Sequence, residues 1–195
     1  MDIEFWFDFG SNYSYLSALR IGSLARERGA TVLWRPFLLG PVFQALGWES
    51  SPFVVQKQKG AYVWRDMERE AAKYGLPWKR PTVFPRRSLL PARVATAAEG
   101  QAWQEPFIQR IMLANFADDR EIDDPVLVDE VLRGLGVDAA AALAAAAAPE
   151  TKLKLRARTE EAQAKGIFGA PMFFVDGDMF WGNDRLDDAL AALRP

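Results

Sequence analysis

Neither cysteine nor histidine occurs anywhere in the chain. That removes disulfide staples, structural zinc and a thiol nucleophile supplied by the protein. It also removes imidazole as a general base, leaving acid–base work to carboxylates, lysine, tyrosine or the substrate. Net charge is small too: 24 basic and 26 acidic residues leave a formal −2 and an isoelectric point of about 5.4, so no strongly basic nucleic-acid footprint is expected. No apolar run approaches the ~20 residues of a membrane span. The longest, Ala139 to Ala148, is almost all alanine and stops at Pro149. Met1 to Phe7 carries acids and lacks both the basic and the apolar stretch of a signal peptide, so the cytoplasm is the expected location.

Half of the 195 residues are apolar, enough for a well-buried core. Aromatics make up 12%, with seven tryptophans. They suit either a large aromatic core or a site that stacks on flat ligands.

Ile3 to Asp8 reads as a first strand, with Ile3, Phe5 and Phe7 on one face and Trp6 on the other. Gly10-Ser11-Asn12 interrupts it. A helix is expected from Tyr13 through Leu16, Leu19 and Leu24 to Gly29, and a second strand over Thr31 to Arg35, stopped by Pro36. From about Pro41 to Pro149 no strand pattern is visible; apolar residues recur at helical spacing instead. A charged helix over Thr151 to Lys165 follows. Met172 to Val175 and Asp178 to Trp181 flank Asp176-Gly177, a strong hairpin signal, and a last amphipathic helix begins near Leu186. The predicted order is βαβ, a helical block, then αββα. It fits a thioredoxin-like α/β fold with a large all-helical insertion, residues 1–40 plus 150–195 forming one unit and 41–149 the other.

Four places hold chemistry-bearing residues. Ser11 follows the first strand at the start of a helix, where ligands of α/β sheets commonly bind and where free amides favour an anion. It is either an ordinary N-cap or the group that holds such a ligand. Gly169-Ala170-Pro171 opens the apolar strand; a cis bond there leaves Ala170's backbone open to an extended peptide, and a trans bond makes it a plain strand start. In Trp181-Gly182-Asn183-Asp184-Arg185, Asn183 is placed to cap the last helix, near amides and an arginine able to receive a carboxylate. Lys59 precedes the helical stretch around Tyr62 as an anion clamp or a solvated lysine.

Phe7-Asp8-Phe9-Gly10-Ser11-Asn12-Tyr13-Ser14-Tyr15-Leu16 resembles the opening motif of 2-hydroxychromene-2-carboxylate isomerases and kappa-class glutathione transferases, both of the DsbA-like branch of the thioredoxin fold. Lys59-Gly60-Ala61-Tyr62 with Asp66, Gly169-Ala170-Pro171, and Trp181 to Leu186 continue the resemblance in order over nearly the whole chain. It implies a glutathione-dependent isomerase of aromatic catabolism, acting on a small aromatic-derived substrate, as a homodimer. Ser11 would bond the glutathione sulfur, and Ala170 before a cis-Pro171 would pair with its cysteinyl backbone. Trp181, Gly182, Asn183 and Asp184 would receive the rest of the peptide, and Lys59 would lie at the cleft. Phe43, Gln44, Phe53, Val54 and Phe84 would line the substrate pocket. Asn12 stands where relatives often carry proline, Ser51 to Val55 lacks a common asparagine, and Phe84 replaces a more polar aromatic. A glutathione transferase or peroxidase acting on electrophiles, and a non-catalytic glutathione-binding module, are the alternatives.

Overall fold

The computed structural model describes residues 1–194. Strand β1 (Asp2–Phe7) pairs in parallel with β2 (Thr31–Pro36) and antiparallel with β3 (Met172–Val175), which forms a hairpin with β4 (Asp178–Trp181). The sheet order is β2-β1-β3-β4. Alternation along β1 sends Ile3, Phe5 and Phe7 to one face, where Phe5 stacks on Phe173 with ring centroids 5.4 Å apart. Trp6 goes to the other face, fully buried among Phe37, Val42, Met172 and Phe174. Both faces are therefore covered.

Two boundaries differ from expectation. Pro36 lies inside β2, in register with Phe7, while the Phe37 amide bonds the Phe7 carbonyl at 3.0 Å. β2 is an edge strand, and the proline's missing N–H falls on the side with no neighbour. The expected single helix is two, α1 (Asn12–Ala18) and α2 (Ile21–Glu27). No glycine or proline breaks them. Arg20 turns instead to Asn183 Oδ1 at 3.2 Å and lies 3.5 Å from the centre of the Tyr74 ring, so tertiary contacts set the break.

Among the described residues, none between 41 and 149 is in a strand. Helices α3 (Leu39–Ala45), α4 (Pro52–Val55), α5 (Lys57–Lys73), α6 (Leu89–Ala97), α7 (Gln104–Phe116), α8 (Pro125–Gly134) and α9 (Ala139–Ala147) lead to α10 (Pro149–Ala164). Asp124 and Asp138 cap α8 and α9 by accepting from Val126 and Ala141 amides at 2.9 and 3.0 Å. After β4 a 3-10 turn (Asn183–Arg185) runs into α11 (Leu186–Ala191). No described helix is long and apolar enough to cross a membrane.

Candidate active site

A cavity of about 1100 Å³ opens where the β1–α1 turn meets the start of β3. Ser11 is its chemical centre. The residue is the N-cap of α1: its Oγ accepts from the Ser14 amide at 3.2 Å and donates to the Ala170 carbonyl at 3.0 Å. The Ala170–Pro171 bond is cis. The Ala170 N–H has no partner among the described residues, so its N–H and C=O together offer the edge of a strand to a ligand.

Rigid supports hold the Ser11 turn. Asp8 is buried, and its carboxylate accepts from the Gly10 amide at 2.7 Å, the Leu39 amide at 2.8 Å and Ser88 Oγ at 2.9 Å. Burial pushes its pKa above the ordinary 3.8, against the pull of those three donors. Asn115, also buried, donates through Nδ2 to the Phe9 carbonyl at 2.9 Å and accepts from Arg86 Nη1 at the same distance. Sequence reasoning missed both. Asp8 has one local signal, an acid inside an apolar run; Asn115 has none.

The second end of the cavity is built from the β4–α11 corner. Gly182 holds φ 105°, a conformation that requires glycine, and its amide bonds the Pro171 carbonyl at 3.0 Å. Trp181, half exposed, meets Phe168 edge-on at 4.8 Å and lies against Gly169. Asp184 borders the same space. Asn183 does not cap α11: its side chain turns inward, accepting from Ser17 Oγ at 3.1 Å and from Arg20 and donating to Tyr74 Oη at 3.4 Å. The buried donors of Ser17 and Arg20 outcompete the exposed helix end for it. Arg185 is exposed and paired with Asp188 at 2.9 Å.

On the opposite wall stand Phe43, Gln44, Phe53 and Phe84. The bond after Phe84 is a second cis-proline linkage. Val54 is not part of the wall. It is exposed, because the neighbouring Phe53 turns its ring onto Tyr13 (6.0 Å), and successive helical side chains point about 100° apart. Lys59 borders the cavity, 5.8 Å from the Phe53 ring, with no carboxylate in ion-pair reach among the described residues. Tyr13 Oη donates to Asp66 Oδ2 at 2.6 Å. No cluster suited to a metal is present among the described residues.

The chain is similar to known proteins over nearly its whole length. A DSBA-like thioredoxin domain model matches residues 2–194. The chain is 34% identical to a 2-hydroxychromene-2-carboxylate isomerase of Sphingobium xenophagum, covering 95% of this chain and 94% of that one. It is 32% identical to one from Pseudomonas putida, over 95% and 91%. A solved structure of a 2-hydroxychromene-2-carboxylate isomerase superposes with a TM-score of 0.89 at 27% identity, covering 98% and 94%. The cytosolic disulfide reductase DsbM of Pseudomonas aeruginosa, solved with GSH, shares the fold at a TM-score of 0.68 and 19% identity, over 98% and 96%.

Proposed function

Because the chain belongs to the DsbA-like thioredoxin family, and within it to the 2-hydroxychromene-2-carboxylate isomerases, we propose that its isomerase chemistry is glutathione-dependent, with Ser11 holding the thiolate. One observation carries this reading: the Ser11 hydroxyl, in a chain without cysteine, faces the Ala170 carbonyl ahead of cis-Pro171.

The donor set fits a peptide thiol. An extended ligand pairing with Ala170 takes over its carbonyl, and the Ser11 O–H is then free to donate to a sulfur beside it. Helix α1 has seven residues rather than the longer run expected, so its dipole is a small contributor and the hydroxyl is the main one. A hydrogen bond to a charged acceptor is worth about 1.5–3 kcal/mol, which is about 1–2 pKa units. That moves a thiol from about 8.5 into the neutral range. Bound glutathione would supply the thiolate that adds reversibly to an unsaturated aromatic-derived substrate and leaves after bond rotation. Gly182, Asp184 and Trp181 would seat the peptide, Lys59 would face an anionic group, and Phe43, Gln44, Phe53 and Phe84 would enclose the substrate ring and exclude water. Val54, exposed and outside the cavity, takes no part in that enclosure.

The same reading assigns a cytoplasmic homodimer, which fractionation and light scattering test. Calorimetry with glutathione, joined to product analysis, tests the main proposal. Binding together with an unchanged glutathione pool after turnover supports an isomerase. Consumption of glutathione would make the protein a transferase or peroxidase, and absence of binding heat would remove glutathione from the account.

A further inference from the structure

Two phenols on the cavity wall point their protons at one carboxylate. Tyr13, two residues after Ser11, donates to Asp66 Oδ2 at 2.6 Å, and Tyr62, one turn earlier on α5, reaches Asp66 Oδ1 at 3.5 Å. All three residues border the cavity. Tyr13 is half-buried with its ring against Phe53, the ring that forms the substrate side of the wall. Burial first, and then the hydrogen bond to Asp66 and its charge, hold the phenol proton in place by raising its pKa above the usual 10.

A phenol has a single proton to give. With that proton committed to Asp66, Tyr13 Oη offers the cavity lone pairs only, and the carboxylate beside it offers more of the same. Such a site selects for a ligand that donates. Net charge does not draw a cation there, because the cavity face of α5 carries Lys59 and Lys73 as well as Asp66 and Glu70. Resting on the isomerase reading above, we propose that Tyr13 and Asp66 form an acceptor pair that recognises a hydroxyl group of the aromatic-derived substrate. Ser11 then governs the thiol, and Tyr13, one helical position-pair away, governs which substrates sit beside it.

The test compares binding of an ortho-hydroxyaryl, unsaturated 2-oxo acid with binding of its O-methyl ether, followed by tryptophan fluorescence quenching. Wild type should prefer the hydroxyl form by about tenfold, the usual range for a hydrogen bond to such a pair. Tyr13→Phe combined with Asp66→Ala, which removes both acceptors, should erase most of that preference. Asp66→Ala frees the phenol proton to meet the ether oxygen, so it should bring the two affinities together by improving the ether. Calorimetry should show glutathione affinity unchanged in both variants. Because the readout is a ratio within one protein, partial loss of folded material does not alter it. Equal binding of both probes by wild type, or a preference that survives removal of both Tyr13 and Asp66 side-chain acceptors, overturns the assignment. So does weakened glutathione binding in the variants, which would give the pair to the tripeptide's ammonium group. Failure of the glutathione reading is separately visible, as no glutathione binding by a wild type that still ranks the two probes.

Discussion

The Ser11 hydroxyl donates to the Ala170 carbonyl at 3.0 Å across 159 residues of sequence, while accepting from the Ser14 amide at 3.2 Å. One side chain thus caps α1 and ties it to the start of β3. Ser11→Ala loses the cap and leaves the Ala170 carbonyl without its partner. It should cost about 0.5–2 kcal/mol, the range for removing such a cap, with the fold retained. Urea unfolding followed by circular dichroism checks this.

Asn115 should matter more to stability than its distance in sequence suggests. Asn115→Ala strips partners from the Phe9 carbonyl and from the buried Arg86 guanidinium. Leaving buried polar groups unsatisfied costs about 1–3 kcal/mol. Since Phe9 lies two residues before Ser11, turnover should fall at temperatures where the variant is still folded, which steady-state rates beside melting curves would show.

Gly60 is the point where α5 touches α4. A side chain there would overlap the Phe53 carbonyl oxygen, a backbone atom that can yield only if α4 moves with it. Gly60→Ala should therefore push α4 outward at a cost of about 1–3 kcal/mol. Affinity for an aromatic substrate should drop several-fold, through Phe53, with glutathione affinity preserved. Titration with each ligand separately distinguishes this from general unfolding.

Asp8 links stability to acid. Unfolded, its carboxyl titrates near 3.8; folded, burial raises that value. The folded state therefore binds the proton more readily, and stability from this group is fullest below 3.8 and lost as pH rises through the folded value. Wild type should lose stability relative to Asp8→Asn as pH climbs out of the acid range. Unfolding curves for both proteins across that range give the sign directly, and an opposite slope would mean that the three donors outweigh burial.

Much of the frame was legible. Alternation in Ile3-Glu4-Phe5-Trp6-Phe7 marks β1, and Asp176-Gly177 marks the hairpin. What escaped was set by contacts distant in sequence. Nothing local to Leu19-Arg20 signals a helix break, because Asn183 and Tyr74 make it. The inward turn of Asn183 has the same cause. Pro36 reads as a strand stop until the edge position of β2 is known. Within the site, Ser11, Ala170 and Lys59 were placed by motif and meet at one cavity. Tyr13 with Asp66, and Asp8 with Ser88, were not paired beforehand, since no spacing rule joins residues 53 or 80 positions apart.

The central claim is that Ser11 sets how much bound glutathione is ionised at neutral pH. The direct measurement is thiolate absorbance of protein-bound glutathione against pH, in wild type and in Ser11→Ala. Wild type should titrate about 1–2 pH units below free glutathione, and the variant close to the free thiol, from the loss of about 1.5–3 kcal/mol of hydrogen bonding to sulfur. Identical titration of the two proteins would contradict the account and leave Ser11 a helix cap alone.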